Sequence, residues 1–349
     1  MLPIAVDAMG GDFAPRAVIQ GVGEALDMLP GCPDMILVGD EARMRAELSA
    51  IGKLGHAKLS LVHAPDVVRM DDPSTAPLRS KKNSSISLAV ELAKEGKVSA
   101  VVSAGHTGAT MAVSVVKLRM LSGVDRPGIA AVMPNLTGHF VLLDAGANVD
   151  AKAEHLQQYG IMGSAFAEGI LGIEKPRVGL LSVGTESEKG NELSKTAFKL
   201  LAAVPDINFI GNVEGHGLFD GSVDVVVCDG FVGNVVLKGS EALAKAIGTI
   251  LKRGLTANPL RKAGAVLCRG AFTELKQKLD PEEYGGAIFL GVNGVVIKAH
   301  GSSSAKAIRN AIRVAAEFVD HRVNEKIVSA IGHLSAAPPP AAGGGAEPV

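Results

Sequence analysis

The sequence predicts an α/β fold in which helices cover both faces of a mainly parallel β-sheet. Short apolar runs alternate with longer helical patterns through most of the 349 residues, and such alternation is typical of parallel sheets. Polar, glycine-bearing turns follow several apolar runs, as expected where a strand passes into a helix. Hydrophobic residues make up 47% of the chain and charged residues 20%, which is enough apolar surface for a sizeable core.

Ten strands are predicted from short apolar runs bounded by turn residues. In chain order they are Ile4–Val6, Met35–Val38, Leu59–Val62, Ala100–Val102, Ile129–Val132, Phe140–Leu143, Val178–Leu181, Asn208–Ile210, Val223–Val227 and Gly294–Lys298. The segment Gly285–Lys298 has the pattern of a hairpin. We therefore expect an antiparallel portion in the sheet.

Eight helices are predicted from apolar positions that recur at helical spacing. They are Ala14–Met28, Glu41–Ala50, Ile86–Gly96, Thr107–Arg119, Ala151–Leu171, Glu192–Leu201, Asn234–Lys252 and Ala305–Ser329. We expect residues 1–334 to form a single αβα unit. Residues 335–349 are rich in Ala, Pro and Gly with one acid, Glu347, a composition that predicts a disordered tail.

Composition argues against several classes of protein. A formal net charge of −1, 3% aromatic residues and no Trp argue against a nucleic-acid partner. No apolar run reaches the ~18–20 residues of a membrane span. The first residues contain no basic cluster, and an acidic residue, Asp7, lies close to the N-terminus. Both features are unlike a signal peptide. Cys32, Cys228 and Cys268 are too widely spaced for a metal or redox pair, which favours a reduced, cytoplasmic protein.

Six polar clusters with glycine follow proposed strands. They are Asp7–Asp12, Ser103–Thr110, Asp144–Asn148, Ser182–Glu192, Cys228–Asn234 and Lys298–Ser303. Ligands of α/β proteins bind beyond the carboxyl ends of parallel strands. We therefore expect the six clusters to meet at one edge of the sheet and to build a single site. The alternative is that each cluster is a routine turn between a strand and a helix.

The loop Ser103–Thr110 leads from an apolar strand into a helix of small residues. Free backbone N–H groups and the helix dipole favour an anion at such a helix N-terminus. The predicted guest is a phosphate or a carboxylate. The loop lacks the lysine of a P-loop and the G-x-G-x-x-G pattern, which argues against an ATPase and against a dinucleotide enzyme.

Five side chains in these clusters are candidates for chemistry. Lys189 has the charge to neutralise a phosphate or an oxyanion, or it is a solvated lysine near a helix start. Asn234, at the predicted start of a helix, either donates to a carbonyl oxygen or caps the helix. His106 and His300 are candidate general acids, or loop histidines that bond to the backbone. Cys228 ends an apolar run and is either a buried apolar residue or a nucleophile.

Four carboxylates in the clusters raise the question of a metal ion. They are Asp7, Asp12, Asp144 and Asp229. Neither H-E-x-x-H nor EF-hand spacing is present. We therefore predict no metal and no cofactor, and expect these carboxylates to orient other groups.

The stretch from Ala242 to Thr273 has no acidic residue. Its basic residues alternate with apolar ones around a turn at Asn258–Pro259. Such a basic amphipathic hairpin, about 242–279, is typical of a protein that binds an anionic membrane surface. The predicted membrane-binding residues are Leu255, Leu260, Arg261, Lys262, Val266 and Leu267. The alternative is a helical pair at a subunit interface. A smaller basic cluster at Arg79, Lys81 and Lys82 has the charge to meet an acidic partner.

Six motifs occur in a fixed order along the chain: A-V-D-A-M-G-G-D, S-A-G-H-T-G-A, L-L-D-A-G-A-N, G-T-E-S-E-K-G-N-E, C-D-G-F-V-G-N and K-A-H-G-S-S. With these motifs and their spacing, the sequence resembles the bacterial acyl-ACP:phosphate acyltransferase (PlsX) family over about Ile4 to Val319. One such motif is a weak signal, whereas the ordered set is highly specific.

The resemblance implies reversible transfer of a long-chain acyl group from acyl carrier protein to inorganic phosphate. The acyl phosphate supplies a membrane glycerol-3-phosphate acyltransferase in phospholipid synthesis. The resemblance also implies a three-layer αβα sandwich of the isocitrate/isopropylmalate dehydrogenase type, shared with phosphate acetyltransferases. It further implies a cytoplasmic homodimer attached peripherally to the inner face of the cell membrane. The family's site residues carried over here are Lys189 and Asn234.

This chemistry needs no Ser or Cys nucleophile, because phosphate itself attacks the thioester. We expect the Ser103–Thr110 loop, Ser302 and Ser303 to hold phosphate. Lys189 and Asn234 then face the reacting carbonyl, and His106 or His300 lies near the sulfur. The other predicted substrate-binding residues are Gly105, Thr107, Gly108, Asp144, Asn148, Asn191, Glu192 and Asp229.

Three other functions remain open from the residues alone. One is a dehydrogenase on the same fold, with a nicotinamide cofactor and a metal. A second is acyl transfer through a covalent intermediate on Cys228. A third is a non-catalytic scaffold that binds a membrane through residues 242–273.

Overall fold

One continuous sheet of eleven strands runs through residues 1–336, the part of the chain that the structure, a computed structural model, describes. The strands are β1 (Ile4–Asp7), β2 (Met35–Gly39), β3 (Leu59–His63), β4 (Ala100–Ser103), β5 (Gly128–Pro134), β6 (His139–Leu143), β7 (Arg177–Leu181), β8 (Asn208–Val213), β9 (Val225–Val227), β10 (Ala287–Leu290) and β11 (Val296–Lys298). Their order across the sheet is β3-β2-β1-β4-β11-β10-β5-β6-β9-β7-β8.

The α-helices connect these strands and flank the sheet. They are α1 (Arg16–Met28), α2 (Glu41–Ala50), α3 (Ser85–Lys94), α4 (Thr107–Leu118), α5 (Ala153–Ile170), α6 (Glu192–Ala202), α7 (Gly230–Leu255), α8 (Pro259–Leu267), α9 (Arg269–Leu279), α10 (Ala305–Asp320) and α11 (Val323–Ala336). Short 3₁₀ turns lie at Ala76–Leu78, Gly215–Leu218 and Pro281–Tyr284.

The sheet contains two parallel groups that run in opposite directions. Strands β3, β2, β1, β4 and β11 are parallel to one another, and so are β6, β9, β7 and β8. Between the groups, β11–β10, β10–β5 and β5–β6 are antiparallel pairs. Three reversals separate β11 from β6. The carboxyl ends of the two groups therefore lie at opposite edges of the sheet.

Helices cover both faces of the sheet and give three layers. Every residue of β1, β4 and β9 is buried, as expected for strands covered on both sides. Successive side chains of β1 enter different cores: Ile4 and Val6 join the core packed by α1, α5 and α10, whereas Ala5 joins the core packed by α3 and α4. The predicted αβα sandwich with a mainly parallel sheet is confirmed.

At the C-terminal end the structure differs from the prediction in the bounds of the last helix and in where the tail begins. The expected helix Ala305–Ser329 is two helices, because the chain turns between them and Arg322 has a φ of 51°, in the left-handed region that ends a helix. The predicted hairpin at Gly285–Lys298 is confirmed as β10 and β11. Helix α11 extends to Ala336, and residues 337–349 of the expected tail lie outside the described residues.

The hairpin formed by α7, α8 and α9 contributes little to the core. Only Gly230 and Gly233 of the 26-residue helix α7 are buried, and no residue of the described helices α8 and α9 is. The predicted turn at Asn258–Pro259 is present, with Asn258 capping α8 through the N–H of Arg261 at 2.9 Å. Among the helices of residues 1–336, none has the length and apolar character needed to cross a membrane.

Candidate functional site

The six polar clusters lie at two opposite edges of the sheet. Asp7–Asp12, Ser103–Thr110 and Lys298–Ser303 follow β1, β4 and β11, and we call this the Ser103 edge. The other clusters, Asp144–Asn148, Ser182–Glu192 and Cys228–Asn234, follow β6, β7 and β9, and we call this the Asn234 edge. The prediction of one common edge is wrong, because the antiparallel pairs at the centre of the sheet reverse the strand direction.

A buried carboxylate organises the Ser103 edge. Ser103 Oγ donates to Asp7 Oδ2 at 2.6 Å, and the N–H of Gly105 donates to Ser103 Oγ at 3.0 Å. Burial raises the pKa of Asp7, while hydrogen bonds from Ser103 and Ser85 oppose the rise. A Cβ at Gly10 would lie 2.6 Å from both Asp7 Oδ2 and the Gly105 nitrogen. This position therefore requires glycine, and the two loops touch through backbone.

His106 is the N-cap of α4. Its Nδ1 accepts a hydrogen bond from the N–H of Ala109 at 3.1 Å, so the neutral ring carries its proton on Nε2. Thr107 and Gly108 form the first turn of α4, where N–H groups have no partner within the helix. The ring's Nδ1 is therefore used in capping, and only Nε2 is left to meet a substrate.

Lys298 lies at the Ser103 edge and is not among the candidate residues that the sequence interpretation singled out. It pairs with Ser103 across β11 and β4, it is 6% exposed, and its ammonium group donates to the carbonyl of Ala299. Burial lowers the pKa of Lys298 to about 8, and the charges of Asp7 and Asp12 oppose the shift. A lysine that ends a strand is usually solvated, so only the fold reveals this buried ammonium.

The loop after β11 completes the Ser103 edge. His300 Nδ1 lies 2.8 Å from Ser302 Oγ, and both side chains are exposed. Ser303 is only 6% exposed, and its Oγ has no hydrogen-bond partner within the described chain. The N–H of Asp12 donates to Gly301 O at 2.8 Å, which joins this loop to the one after β1. A buried hydroxyl without a partner indicates a polar group that a ligand can satisfy.

Asp144 is the centre of the Asn234 edge. Its carboxylate accepts hydrogen bonds from the backbone N–H groups of Ile129, Gly146, Ala147 and Asn148 at 2.7 to 3.0 Å. Burial raises the pKa of Asp144, and these donors oppose the rise. With its oxygens occupied in this way, Asp144 holds the loop that follows β6.

Asn148 is likewise used inside the protein. Its Nδ2 donates to Tyr159 Oη at 2.7 Å and lies 3.3 Å from Asp144 Oδ2, and it also bonds to the carbonyl of Pro127. An amide has only two N–H donors, so these acceptors leave none for a substrate. The predicted substrate contacts of Asp144 and Asn148 remain untested, and the structure gives both residues a role in holding the loop.

Helix α7 packs against this loop through glycines. A Cβ at Gly233 would lie 1.9 Å from the carbonyl oxygen of Asp144, and one at Gly230 would lie 2.8 Å from the nitrogen of Asn148. The contact places Asn234 beside Gly146, where an added Cβ would lie 3.4 Å from Asn234 Oδ1. Because Gly230 and Gly233 have no side chains, helix α7 can approach the Asp144 loop closely.

Asn234 is not the cap of α7, which corrects one of its two interpretations. The helix begins one turn earlier, at Gly230, and its cap is Asp229, whose Oδ1 accepts from the N–H groups of Phe231 at 2.9 Å and Val232 at 3.0 Å. The half-buried Asn234 makes no side-chain hydrogen bond to another residue of the described range. Its amide is therefore free to donate.

The loop after β7 carries Lys189 into solvent. Asn212 Nδ2 donates to the carbonyl of Glu186 at 2.7 Å and fixes the loop. Asn191 caps α6 by accepting from the N–H of Ser194 at 2.9 Å, and Glu192 begins that helix. Lys189 itself is exposed and, within residues 1–336, forms no ion pair. A free ammonium group on a fixed loop has the charge to meet an anion.

An open cleft of about 680 Å³ lies at the Asn234 edge. Its lining combines polar and apolar side chains: Val149, Asp150, Ala151, Asn191, Leu193, Asp229, Phe231 and Val232. Phe231 is 62% exposed, so apolar surface is available next to Asn234. The cleft suits a ligand that has both a polar head and an apolar part.

Cys228 is placed unfavourably for a nucleophile. The thiol is buried, its Sγ lies 3.7 Å from the carbonyl of Asp144, and burial strongly raises its pKa. The four aspartates considered for a metal are also divided, with Asp7 and Asp12 at one edge and Asp144 and Asp229 at the other. Within residues 1–336 no group of three or more His, Cys, Asp or Glu has the geometry of a metal site.

The fold and its polar strand ends define an α/β protein of the phosphotransacetylase fold. A phosphotransacetylase from Streptococcus pyogenes superposes with a TM-score of 0.61 and 19% identity over 91% of this chain and 94% of its own. The EutD phosphotransacetylase from Staphylococcus aureus does so with a TM-score of 0.58 and 16% identity, over 91% and 94%. At these identities the likeness shows the fold alone.

The chain belongs to the fatty acid synthesis protein family, whose model matches residues 2–326. A phosphate acyltransferase from Pelotomaculum thermopropionicum is 51% identical over 95% of both chains. One from Thermodesulfovibrio yellowstonii is 50% identical over 94% of this chain and 93% of its own. The resemblance noted from the six motifs is confirmed, and the family makes this chain an acyltransferase.

We expect Gly233→Ala to disrupt the contact between α7 and the Asp144 loop. The new methyl group would meet the Asp144 carbonyl oxygen, and overpacking of this kind costs about 1–3 kcal/mol or more. Urea unfolding measures the loss. Gly248→Ala in the same helix is the control, since its Cβ enters open space and replacing an exposed helical glycine gains up to about 1 kcal/mol. Equal free energies of unfolding for Gly233→Ala and Gly248→Ala would contradict a close contact between Gly233 and the Asp144 loop.

Buried Lys298 predicts a pH dependence of stability. Its pKa is about 8 in the folded protein and 10.5 as the ordinary value, so between these values the unfolded chain binds more protons. The free energy of unfolding should therefore rise as the pH increases from about 8 to 10.5, by about 3 kcal/mol from this residue. Denaturant unfolding of the wild type and of Lys298→Met between pH 8 and 10.5 measures this rise, which the variant should lack. Free energies of unfolding that change with pH in the same way in both proteins would contradict the effect of Lys298 burial.

Proposed function

We propose that this protein transfers a long-chain fatty acyl group from acyl carrier protein to inorganic phosphate. The products are acyl phosphate and free carrier protein. The observation that carries the proposal is the near full-length identity of about 50% to proteins named phosphate acyltransferase. A protein named phosphotransacetylase shares this fold, so the fold is compatible with acyl transfer to phosphate.

The proposed reaction is direct attack of phosphate on the thioester. A phosphate oxygen forms a bond to the carbonyl carbon, the carbonyl oxygen becomes an oxyanion, and the C–S bond then breaks. The carrier thiolate leaves, with an ordinary thiol pKa of about 8.5, and becomes the free thiol by taking up the proton that hydrogen phosphate loses when it becomes an acyl phosphate. No oxidant, metal or covalent enzyme intermediate enters the balance. The burial of Cys228 argues against the acyl-cysteine route.

Lys189 and Asn234 are the groups we assign to the oxyanion and the phosphate charge. The amide of Asn234 has no partner within the described residues, and it lies one turn of α7 after Phe231, which lines a partly apolar cleft. The exposed ammonium group of Lys189 extends from a loop at the same edge. Preorganised donors aimed at developing charge usually supply the largest single contribution in acyl transfer. His106, whose Nε2 is free, is the proposed acid near the sulfur.

The Ser103 edge supplies the proposed phosphate-binding groups. Gly105, Thr107 and Gly108 surround the N-terminus of α4, where free N–H groups favour an anion. Ser303 adds a buried hydroxyl without an internal partner, and Lys298 adds a buried ammonium group. Ser302 and His300 lie at the rim of the same loop.

The hairpin α7–α9 is the proposed membrane contact of a cytoplasmic, peripherally attached homodimer. Leu260, Val266 and Leu267 are 71 to 88% exposed, and Arg261 and Lys262 lie beside them in α8. Leu255 is partly covered at the end of α7. Basic and apolar side chains exposed together suit an anionic lipid surface. There the product would reach a membrane glycerol-3-phosphate acyltransferase.

Phosphate-dependent release of free thiol from palmitoyl acyl carrier protein tests the reaction. We expect thiol release and acyl phosphate to appear together, to require phosphate and to survive a chelator. A reaction without phosphate, in which water is the only acceptor, measures hydrolysis separately from transfer. Turnover of a 2-hydroxy acid with a nicotinamide cofactor, and none with phosphate, would favour the dehydrogenase instead.

Lys189→Ala and Asn234→Ala should each lower the turnover number by about 10²-fold or more, the usual cost of one lost oxyanion donor. Both positions are exposed or half-buried, so the variants should fold. Lys199→Ala, an exposed lysine on α6, is the matched control and should keep wild-type turnover. Near wild-type turnover in both Lys189→Ala and Asn234→Ala would contradict the proposed roles of these two residues at the oxyanion and the phosphate.

The double variant Arg261→Glu, Lys262→Glu should bind anionic vesicles at least tenfold more weakly, because each basic residue near such a surface contributes about 1 kcal/mol. Its turnover with soluble acyl carrier protein should be unchanged. Vesicle co-sedimentation measures the binding, with Lys199→Glu as a control on the body of the protein. Unaltered binding to anionic vesicles would contradict the hairpin as the membrane contact.

A further inference from the structure

We propose that a groove between the hairpin and the body of the protein binds the phosphopantetheine arm of the acyl carrier protein. The groove has a volume of about 600 Å³. Helices α8 and α9 form one wall, and the 3₁₀ turn at Pro281–Tyr284 and the start of α10 form the other. Arg269 and Lys276 are the residues that we assign to the phosphodiester of the arm. The proposal rests on the function proposed above and adds the path by which the thioester arrives.

The groove lies beside the loop that is proposed to hold phosphate. Ser304 lines the groove, and it directly follows Ser303, whose buried hydroxyl has no partner within the described chain. Ser304 caps α10, and its Oγ also donates to Glu282 Oε2 at 2.7 Å, which fixes this wall. An arm that occupies the groove therefore lies next to the Ser103 edge, where its thioester can meet phosphate.

The hairpin presents a separate face to this groove. In α8 and α9 the half-buried residues are Ala265 and Phe272, and the others are exposed. Both half-buried residues line the groove. The proposed lipid-binding side chains Leu260, Val266 and Leu267 are 71 to 88% exposed, and they do not line it. A ligand in the groove therefore leaves the lipid-binding side chains of the hairpin free.

The lining of the groove suits a polar arm better than an acyl chain. Most of the lining side chains are polar or charged, and Ala265 and Phe272 are the apolar ones. A phosphopantetheine arm presents amides, a hydroxyl, methyl groups and a negatively charged phosphodiester, which match such a mixed surface. An acyl chain would remove water from the charged groups of the wall without replacing its hydrogen bonds, and that is costly.

The free charges of the groove are positive and lie on the hairpin. Asp280 pairs with Lys306 at 2.8 Å, so this acid of the body wall is already neutralised. Arg269 and Lys276 are exposed, and in the part of the chain that the structure describes neither forms an ion pair. The stretch from Ala242 to Thr273 also contains no acidic residue. Two free cations in one groove thus favour an anionic group such as a phosphodiester.

Holo and apo acyl carrier protein provide the test, because only the holo form contains the arm. We expect calorimetry to show that wild-type protein binds the holo form at least about tenfold more tightly than the apo form. Arg269→Glu and Lys276→Glu should each bind the two forms about equally. Both positions are exposed on α9, so the variants should fold. Lys278→Glu is the matched control and should keep the preference, since Lys278 is exposed on the same helix but does not line the groove.

Steady-state kinetics provide a second readout. The two groove variants should raise the KM for palmitoyl acyl carrier protein at least about tenfold, with a smaller effect on kcat, as expected when binding common to ground state and transition state is lost. Lys278→Glu should keep the wild-type KM.

Three results would overturn the proposal. One is equal affinity of the wild type for holo and apo carrier protein. Another is an equal effect of Lys276→Glu and Lys278→Glu, which would indicate a general attraction of charge. The third is a loss of anionic vesicle binding in Arg269→Glu and Lys276→Glu with unaltered carrier binding, which would assign these cations to the membrane. Failure of the proposed function is a separate result: wild-type protein would then release no thiol from palmitoyl acyl carrier protein in response to phosphate.

Discussion

The antiparallel pairs at the centre of the sheet determine how the rest of the molecule is arranged. Because β10 and β5 lie between two parallel groups, each group keeps its own direction and its own set of crossover helices. The N-termini of those helices, with their partial positive charge, therefore point to two edges. A wholly parallel sheet of the same strands would have collected every polar loop at one edge.

Two buried aspartates have matching positions in this arrangement. Asp7 ends β1 and Asp144 follows β6, and both are almost completely covered. Each accepts hydrogen bonds from the loop that leaves its strand, so each fixes a glycine-containing loop against the sheet. His106, Asn191 and Asp229 also bond within the protein, each as the cap of a helix. Fixed loops then present a small number of free groups, such as Lys189 and Asn234.

Much of the fold follows from the sequence, because strands and helices have distinct apolar periodicities. All ten predicted strands and the hairpin at the C-terminal end occur in the structure. The relative direction of the two parallel groups was not predictable, since a strand has the same pattern in either direction. Lys298 was missed for a related reason: its burial comes from strands distant in sequence. The sequence predicts that α7 begins at Asn234, one turn after its actual start at Gly230. The reason is that Asp and Asn are both good helix caps, so Asp229 and Asn234 give the same signal.

Helix α7 has a consequence for where the chemistry takes place. Its first two turns are anchored in the body, where Gly233 meets the Asp144 loop and Val236 and Leu237 pack against the core, and its later turns form a largely exposed rod. From Asn234 to Leu255 such a rod is about 30 Å long. If the tip of this rod is the membrane contact, as proposed, the rod holds the Asn234 edge well above the lipid headgroups. A bulky carrier protein can then arrive from the aqueous side without competing with the bilayer for space.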